Sequence, residues 1–198
     1  MGARAPLVLA SASPRRLELL RQIGLDPDAV VPAEIDETPK PRELPAKYVL
    51  RLAEAKAAAV ARARPGAFVL AADTAVACGR RILPKAEDEA TAARCLDLLS
   101  GRRHRVMTGI AVVTPAGLKR SRVVTSAVRF KLLGPAEKRA YLATGEWHGK
   151  AGGYAIQGHA ARLIPWIEGS YSNVVGLPLA EAADLLAGLG FMPKEAER

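Results

Sequence analysis

Short apolar segments alternate along this chain with stretches whose apolar residues recur at helical spacing. Leu7–Ala10 and Phe68–Ala72 are continuous apolar runs of strand length, whereas Ala46–Ala63 has the 3.6-residue periodicity of an amphipathic helix. Strand and helix patterns that alternate in this way predict an α/β protein in which a sheet is flanked by helices. The 198 residues are enough to bury one sizeable core, so we expect residues 1–198 to form a single domain.

The same patterns predict further elements. The expected helices are Pro14–Ile23, Glu87–Leu99, Pro135–Ala143 and Leu179–Leu189. The expected strands are Arg105–Val113, Lys119–Leu132 and Ala161–Ile167. The first two of these strands are joined by Thr114-Pro115-Ala116-Gly117, which favours a hairpin turn. A glycine-rich loop is expected over Gly145–Gly158.

Composition excludes several classes of protein. Hydrophobic residues make up 49% and charged residues 25% of the chain, which is ordinary globular composition. The longest stretch without Asp, Glu, Lys or Arg is the thirteen residues from Val106 to Leu118. A membrane-spanning helix needs about 18 apolar residues, so we expect no membrane span. Only Cys78 and Cys95 are present, which excludes a disulfide framework and favours a cytoplasmic location.

The charge balance favours a polyanionic partner. There are 29 basic and 20 acidic residues, a formal net charge of +9. Eight basic residues and no acidic one lie between Leu98 and Ala136, a pattern typical of one basic face of a hairpin or of solvated strand faces. Aromatic residues are only 5%, and no basic-aromatic segment suggests a base-stacking platform. At this point a small polyanion in a cleft and a nucleic acid remain equal candidates.

The first motif with chemical meaning is the turn that follows the Leu7–Ala10 strand. Ser11 and Ser13 lie in this turn, and Ser13 is placed to be the N-cap of the next helix. A helix N-terminus presents unbonded N–H groups and attracts anions, and Arg15 and Arg16 strengthen the attraction. The alternative is an ordinary capped helix with two solvated arginines.

Lys56 falls in the middle of an apolar stripe on the predicted Ala46–Ala63 helix. The stripe consists of Val49, Leu52, Ala53, Ala59 and Val60. A lysine in this position either extends its ammonium to solvent or meets an anion at the edge of the core.

Asp73 follows the apolar run Phe68–Ala72, and we expect it at the carboxyl end of that strand. A carboxylate in such apolar surroundings is costly unless it is paired, metal-bound or protonated. Beside a cleft it would suit a general base or a metal ligand. The alternative is a structural Asp that caps a turn with Thr74.

Two further segments carry polar groups that suit a nucleotide ligand. Lys85 is expected in a turn before the Glu87 helix, where it is either a phosphate ligand or a surface lysine. The loop from Lys150 to Gly158 contains glycines that permit close approach of a ligand, and Gln157 offers both a donor and an acceptor. The alternative is a flexible connector.

An acidic patch precedes the long helix. Glu34, Asp36 and Glu37 supply the oxygen ligands that Mg²⁺ prefers. Such patches are otherwise simply solvated.

Taken together, these motifs resemble the Maf family of nucleoside triphosphate pyrophosphatases over nearly the whole chain, from Leu7 to about Leu186. The most specific motif is Ser11-Ala12-Ser13-Pro14-Arg15-Arg16. The others are Ala72-Asp73-Thr74, Leu99-Ser100-Gly101 with His104, Lys150-Ala151-Gly152, Gly158, Gly169-Ser170-Tyr171 and Val175-Gly176-Leu177-Pro178-Leu179.

The resemblance implies an activity, a fold and an assembly. The activity is metal-dependent hydrolysis of a nucleoside triphosphate to the monophosphate and pyrophosphate, with Mg²⁺ or Mn²⁺ as the cofactor. The fold is a mixed sheet flanked by helices, elongated into two lobes around a central cleft. The segment Lys150–Gly158 is similar to the subgroup that prefers dTTP and UTP, whereas the subgroup acting on 7-methyl-GTP has an acidic residue where Gln157 stands. The resemblance also implies a homodimer.

The resemblance assigns roles to individual residues. Asp73 matches the family's proposed catalytic base and is also a candidate metal ligand beside Glu34, Asp36 and Glu37. The expected substrate-binding residues are Ser11, Ser13, Arg16, Lys56, Lys85 and Lys150. The expected specificity residues are Arg15, Thr74 and Gln157. Two departures stand out: Pro84-Lys85-Ala86 replaces the family's Gly-Lys-Pro, and Glu146-Trp147 replaces its Glu-Pro.

We therefore predict a dTTP/UTP pyrophosphatase whose partner is the nucleotide, with neither a nucleic acid nor a membrane as a partner. The alternative is a regulator of septum formation that binds nucleotide or nucleic acid without turnover. A purine-triphosphate pyrophosphatase on a similar fold is a second enzymatic alternative.

Overall fold

The computed structural model describes residues 4–193 and has the predicted α/β architecture. The helices are α1 (Pro14–Gln22), α2 (Pro45–Ala63), α3 (Glu89–Leu99), α4 (Pro135–Leu142), α5 (Tyr171–Val175) and α6 (Leu179–Gly188), with a 3-10 helix at His159–Leu163. The strands are β1 (Leu7–Ala10), β2 (Ala29–Val30), β3 (Phe68–Cys78), β4 (Arg81–Ile82), β5 (Lys85–Ala86), β6 (Arg103–Val113), β7 (Lys119–Arg129), β8 (Lys150–Ala151) and β9 (Trp166–Glu168). No helix within the described residues is both long and apolar enough to cross a membrane.

A mixed seven-stranded sheet forms the framework. Its hydrogen-bonded order is β2-β1-β3-β6-β7-β9, and β4 pairs with β3 outside this path. Strand β1 runs parallel to β2 and β3, whereas β9 is antiparallel to β7. Strands β5 and β8 form a separate antiparallel pair. The mixed sheet confirms the predicted fold class.

The chain divides into two compact units. Among the described residues, the first unit contains residues 4–73, 108–124 and 176–193, and the second contains 74–107 and 125–175. Strands β3, β6 and β7 contribute residues to both units. The single domain expected over residues 1–198 extends beyond the described residues at both ends, and its two lobes around one cleft stay a prediction.

Helix α2 is packed tightly against the sheet of the first unit. Small and β-branched side chains form the contact: Val8, Ala10, Ala53, Ala57, Val60, Ala67, Val69, Ala71, Ala111 and Val113. The backbones approach so closely that a Cβ on Gly109 of β6 would lie 2.3 Å from the carbonyl oxygen of Val49. Glycine at 109 is therefore required by packing, and this contact fixes the position of α2 over the sheet.

The hairpin turn predicted at Thr114–Gly117 is present. The amide of Gly117 donates to the carbonyl of Thr114, and the amide of Thr114 donates to the carbonyl of Leu118. These bonds join β6 to β7 as the turn residues indicate.

The strand predicted at Ala161–Ile167 is wrong. Residues His159–Leu163 form a 3-10 helix, and the strand β9 begins only at Trp166, directly after Pro165. The amides of Ala161 and Ile164 each donate to a carbonyl three residues earlier, which winds this segment. A short apolar run is compatible with either structure, so its pattern cannot decide between them.

Candidate active site

Lys56 and Asp73 form a buried ion pair in the first unit. The Lys56 ammonium lies 2.7 Å from Oδ1 of Asp73, and the side chains are 10% and 8% exposed. Lys56 extends from the apolar face of α2, as predicted, and Val49, Leu52, Ala53 and Val60 of that face are buried. Because the ammonium is met by an anion, Lys56 does not have to reach solvent.

Asp73 lies inside β3, so the prediction that it lies at the carboxyl end of this strand is wrong. The strand continues to Cys78 because the residues after Asp73 are mostly small or β-branched and pack in the core. A carboxylate in the interior of a strand is normally disfavoured, and the pairing with Lys56 compensates its desolvation. Successive strand side chains alternate, so Thr74 faces the opposite side of the sheet from Asp73.

Glu37 is the third member of this charged group. Its Oε1 lies 2.6 Å from the Lys56 ammonium, and its side chain is 35% exposed. Lys56 therefore contacts two carboxylates: the buried one of Asp73 on β3 and the partly exposed one of Glu37 in the segment before α2. The formal charge of the three groups together is one negative, and the Arg16 guanidinium, which interacts electrostatically with Asp73 and Glu37, balances it.

Helix α2 also holds the backbone of the Glu37 segment. The Tyr48 hydroxyl donates to the carbonyl of Glu37 at 3.0 Å, and Arg51 donates to the carbonyl of Thr38 at 3.2 Å. Burial is the main cause that raises the pKa of Tyr48 to about 12, and the charges of Asp73 and Glu37 add to it. The phenol therefore stays protonated and remains a donor.

Arg51 is itself anchored by a bidentate ion pair. Its Nε and Nη2 lie 2.7 and 2.8 Å from the two carboxylate oxygens of Glu43. These hydrogen bonds lower the pKa of Glu43 to about 2. Sequence reasoning missed Tyr48, Arg51 and Glu43. The available signal was that Tyr48 and Lys56 lie two turns apart, at positions i and i+8, on one face of α2.

The acidic patch does not act as one group. Glu34 and Asp36 are exposed, and hydrogen bonds from the side chain of Thr38 and from its amide, the latter 2.8 Å long, lower the pKa of Asp36. Within residues 4–193, no group of three or more His, Cys, Asp or Glu side chains is arranged to hold a metal ion. Glu37 and Asp73 nevertheless converge on one cation, and carboxylate oxygens are the ligand type that Mg²⁺ and Mn²⁺ prefer.

The serine turn after β1 binds Arg16. The Ser11 hydroxyl accepts hydrogen bonds of 3.1 Å from the Ser13 amide and from Nη1 of Arg16. Nε of Arg16 donates to the carbonyl of Gly176 at 2.8 Å. Burial lowers the pKa of the Arg16 guanidinium, and the negative charge of Asp73 opposes that shift. The guanidinium is therefore held in a fixed orientation in the electrostatic field of Asp73.

Ser13 occupies the N-cap position of α1, but its side chain does not cap the helix. Ser13 has an extended backbone, with φ of −82° and ψ of 114°, and Pro14 follows at the first helical position. The prediction of a side-chain cap is wrong because the turn is instead stabilised through Ser11. The N-terminus of α1 remains a place where amides attract an anion. Arg15 is partly buried there, which lowers the pKa of its guanidinium.

The second unit brings the segments of Lys85 and Lys150 together. Lys85 does not lie in a turn but begins β5, which pairs with β8 so that Lys85 is opposite Ala151 and Ala86 is opposite Lys150. The amide of Gly152 also donates to the carbonyl of Pro84 at 2.9 Å. Sequence patterns could not indicate this pairing, because each strand is only two residues long.

The loop from Lys150 to Gly158, called the Gln157 loop below, is seated on the second unit by its glycines. A Cβ on Gly152 would lie 2.9 Å from Val76 Cγ1, and one on Gly153 would lie 3.2 Å from Ala92 Cα. Both glycines have positive φ, near +68° and +66°. The close approach predicted here is therefore made to the protein itself. Gln157 is exposed near the end of the loop.

Comparison with known proteins finds a matching family and several similar chains. The matching family is described as Maf-like protein, and the match covers residues 6–189. A dTTP/UTP pyrophosphatase of Paramagnetospirillum magneticum is 67% identical over 189 residues, 96% of this chain and 100% of that protein. A dTTP/UTP pyrophosphatase of Rhodospirillum rubrum is 64% identical over 188 residues, 95% of this chain and 90% of that protein.

Solved structures show a more distant likeness. A nucleoside-triphosphatase/dITP/XTP pyrophosphatase of Mycobacterium abscessus is 18% identical, with a TM-score of 0.45 over 92% of this chain and 96% of that one. A TM-score below 0.5 is too low to support an inference about fold or activity. The sequence comparisons confirm the resemblance that the motifs indicated: this chain belongs to the Maf family.

Proposed function

We propose that this protein hydrolyses dTTP and UTP to the nucleoside monophosphate and pyrophosphate. The observation that carries the proposal is the group formed by Lys56, Asp73 and Glu37, with the Arg16 guanidinium in the field of Asp73. It combines cations for phosphate with a buried carboxylate for proton transfer. The relatives named dTTP/UTP pyrophosphatase, which match over nearly the full length of this chain, support the same activity.

Phosphate binding is assigned first to the serine turn. The amides at the N-terminus of α1 and the guanidinium of Arg16 would bind phosphate oxygens, since helix N-termini and arginines both bind anions well. Ser11 and Ser13 shape this turn. Lys56 would add positive charge to the triphosphate, and Lys85 and Lys150 are proposed as further phosphate ligands on the strength of their match to the family's motifs.

Asp73 is proposed to act at the reacting water. As the water attacks the α-phosphorus, the Asp73 carboxylate takes its proton and the bond to the β-phosphate oxygen breaks. The leaving pyrophosphate is stabilised by Lys56 and Arg16. The alternative role of Asp73 is as a metal ligand.

The donor groups fit a divalent cation. In the alternative role of Asp73, this residue and Glu37 would hold Mg²⁺ or Mn²⁺, which would offset phosphate charge and polarise the phosphate. Lys56 contacts both carboxylates at 2.6 and 2.7 Å, which keeps their oxygens close together.

Selection of the base is assigned to Gln157, together with Arg15 and Thr74. The Gln157 amide has a donor and an acceptor, which match the alternating carbonyl and N–H groups on the edge of thymine and uracil. The exposed position of this side chain leaves it available to a ligand.

The test is pyrophosphate release by the purified protein. dTTP, UTP, CTP, dATP, GTP and 7-methyl-GTP would each be offered with Mg²⁺ or Mn²⁺, and a folded Asp73→Asn variant would be assayed alongside. We expect turnover of dTTP and UTP that the variant loses. A folded protein that releases pyrophosphate from none of them, with either metal, would refute the proposal and favour nucleotide or nucleic-acid binding without turnover.

We further propose that the protein is a cytoplasmic homodimer, as its family membership suggests. Light scattering coupled to size-exclusion chromatography measures the mass directly. A mass near twice 21.0 kDa is expected, and a mass of one chain would refute the dimer.

A further inference from the structure

The backbone on both sides of Gln157 is fastened to one region of the second unit. On the N-terminal side, the amide of Ala155 donates to the Tyr141 hydroxyl of α4 at 3.2 Å. On the C-terminal side, the amide of His159 donates to Oε2 of Glu146 at 2.7 Å. Gln157 lies midway between these two anchors. Its side chain is exposed, but its backbone is held on either side.

Glu146 makes a second contact with the same segment. Its Oε1 lies 2.6 Å from Nδ1 of His159, so one carboxylate accepts from both the backbone and the ring of this residue. Hydrogen bonds from His159, with a smaller contribution from the charge of Lys150, lower the pKa of Glu146. The carboxylate therefore stays ionised at neutral pH, and its hydrogen bonds are charge-assisted.

Gly158 leaves the space that the Glu146 carboxylate occupies. A Cβ at position 158 would lie 2.1 Å from Oε2 of Glu146, far inside van der Waals contact. Any larger residue would displace the carboxylate from the backbone that follows Gln157. The position of the Glu146 carboxylate therefore depends on glycine at position 158.

Glu146 is in turn fixed to the end of α4. Its amide donates to the Thr144 hydroxyl at 3.2 Å, and that hydroxyl donates to the carbonyl of Tyr141 at 2.6 Å. The Trp147 indole donates to the carbonyl of Leu142 at 2.8 Å. Both anchors of the Gln157 loop thus originate within a few residues of one helix end, so both tie the loop to that end of α4.

We propose that Glu146 is a positioning residue for base selection: its carboxylate fixes the backbone after Gln157, so that the Gln157 side chain extends toward the pyrimidine from one fixed backbone position. This inference rests on the proposed function, because Glu146 would act through Gln157, which is proposed there to select the base. A fixed backbone position favours discrimination between bases because a mismatched base then leaves the donor and acceptor of the Gln157 side-chain amide unpaired, whereas a mobile backbone lets this amide shift to fit either base.

The first test needs no substrate. Hydrogen exchange of the amides of residues 155–159 would be compared between the wild type, Glu146→Gln and Gly158→Ala. We expect exchange to be about 10-fold or more faster in both variants, since each weakens a charge-assisted hydrogen bond. Asp97→Asn, which removes an exposed ion pair with Lys138 in the same unit, is the control and should leave this exchange unchanged. Unchanged exchange in Glu146→Gln would overturn the proposal.

The second test measures selection. Glu146→Gln is expected to raise KM for dTTP about 10-fold and to lower the preference for dTTP over GTP, with kcat at saturation nearly unchanged. Adding Gln157→Ala to Glu146→Gln should lower the preference no further than Gln157→Ala alone, because both changes act through the same amide. Equal losses for every triphosphate, with the preference retained, would overturn the positioning role. A wild type that hydrolyses no triphosphate would refute the proposed function, and the exchange experiment would still decide whether Glu146 holds the loop.

Discussion

The ammonium of Lys56 lies 2.7 Å from the carboxylate of Asp73, in a position where both side chains are about nine-tenths buried. The pair joins the apolar face of α2 to the middle of β3. Buried ion pairs contribute little to stability when they are compared with apolar packing. The proposed function gives this pair a use, because in that proposal Lys56 binds phosphate and Asp73 accepts a proton from water.

Asp73→Asn should lower kcat by about 10² to 10⁴, because the amide cannot accept a proton from water. The amide is close in size to the carboxylate, so the protein should remain folded by circular dichroism. Pyrophosphate release under saturating dTTP is the measurement. Asp184→Asn, an exposed substitution on α6, is the matched control. Near-normal turnover in a folded Asp73→Asn protein would remove Asp73 from the mechanism.

Lys56→Met should lower kcat/KM for dTTP by about 10- to 150-fold, the range expected when a charge-assisted hydrogen bond is lost. Methionine keeps most of the apolar stem within α2 but leaves Asp73 and Glu37 without their shared cation. Steady-state kinetics with dTTP measure the effect. Lys47→Met, at an exposed position of the same helix, should change kcat/KM little. An equal effect of the two substitutions would show that Lys56 acts only through the general charge of the protein.

Gln157→Ala should lower the preference for dTTP over GTP while the maximal rate with dTTP is largely kept. The reason is that the amide is proposed to contact the base and not the reacting phosphate. The measurement is the ratio of kcat/KM for the two nucleotides. Gln22→Ala, at the exposed end of α1, serves as the control. A Gln157→Ala protein with the full preference of the wild type would contradict the assignment.

His104 should make the stability of the protein depend on pH. It is 2% exposed, and burial lowers its pKa to about 4 from an ordinary value near 6.5. The unfolded chain therefore binds a proton as the pH falls below 6.5, whereas the folded protein does not until the pH approaches 4. The free energy of unfolding should fall by about 2 kcal/mol between pH 7 and pH 5.

Urea unfolding at the two pH values measures this dependence. His104→Gln, which can still hydrogen-bond to the Tyr154 hydroxyl, should abolish most of it, even if its stability is lower at both pH values. His148→Gln is the control, because the His148 side chain is 67% exposed. The same pH dependence in wild type and His104→Gln would show that other groups cause it.

Sequence patterns were most accurate where the cause of the structure is local. Leu7–Ala10 is a strand, α2 ends at Ala63 as predicted, and Lys56 lies on the buried face of that helix. Each follows from apolar spacing or from a proline within a few residues. The patterns failed at Ala161–Ile167 and at the end of β3, where a short apolar run is compatible with more than one structure.

The sequence by itself determined the fold class, the family, and the residue types available for binding a triphosphate. The tertiary structure alone decided which of these residues meet. Glu37, and not Glu34 or Asp36, contacts Lys56, because Tyr48 and Arg51 hold the backbone of its segment. Arg16 is oriented by the carbonyl of Gly176, 160 residues further along the chain. Local propensity extends over a few residues, whereas contacts between distant segments depend on the whole path of the backbone, and that path is set by packing of the core.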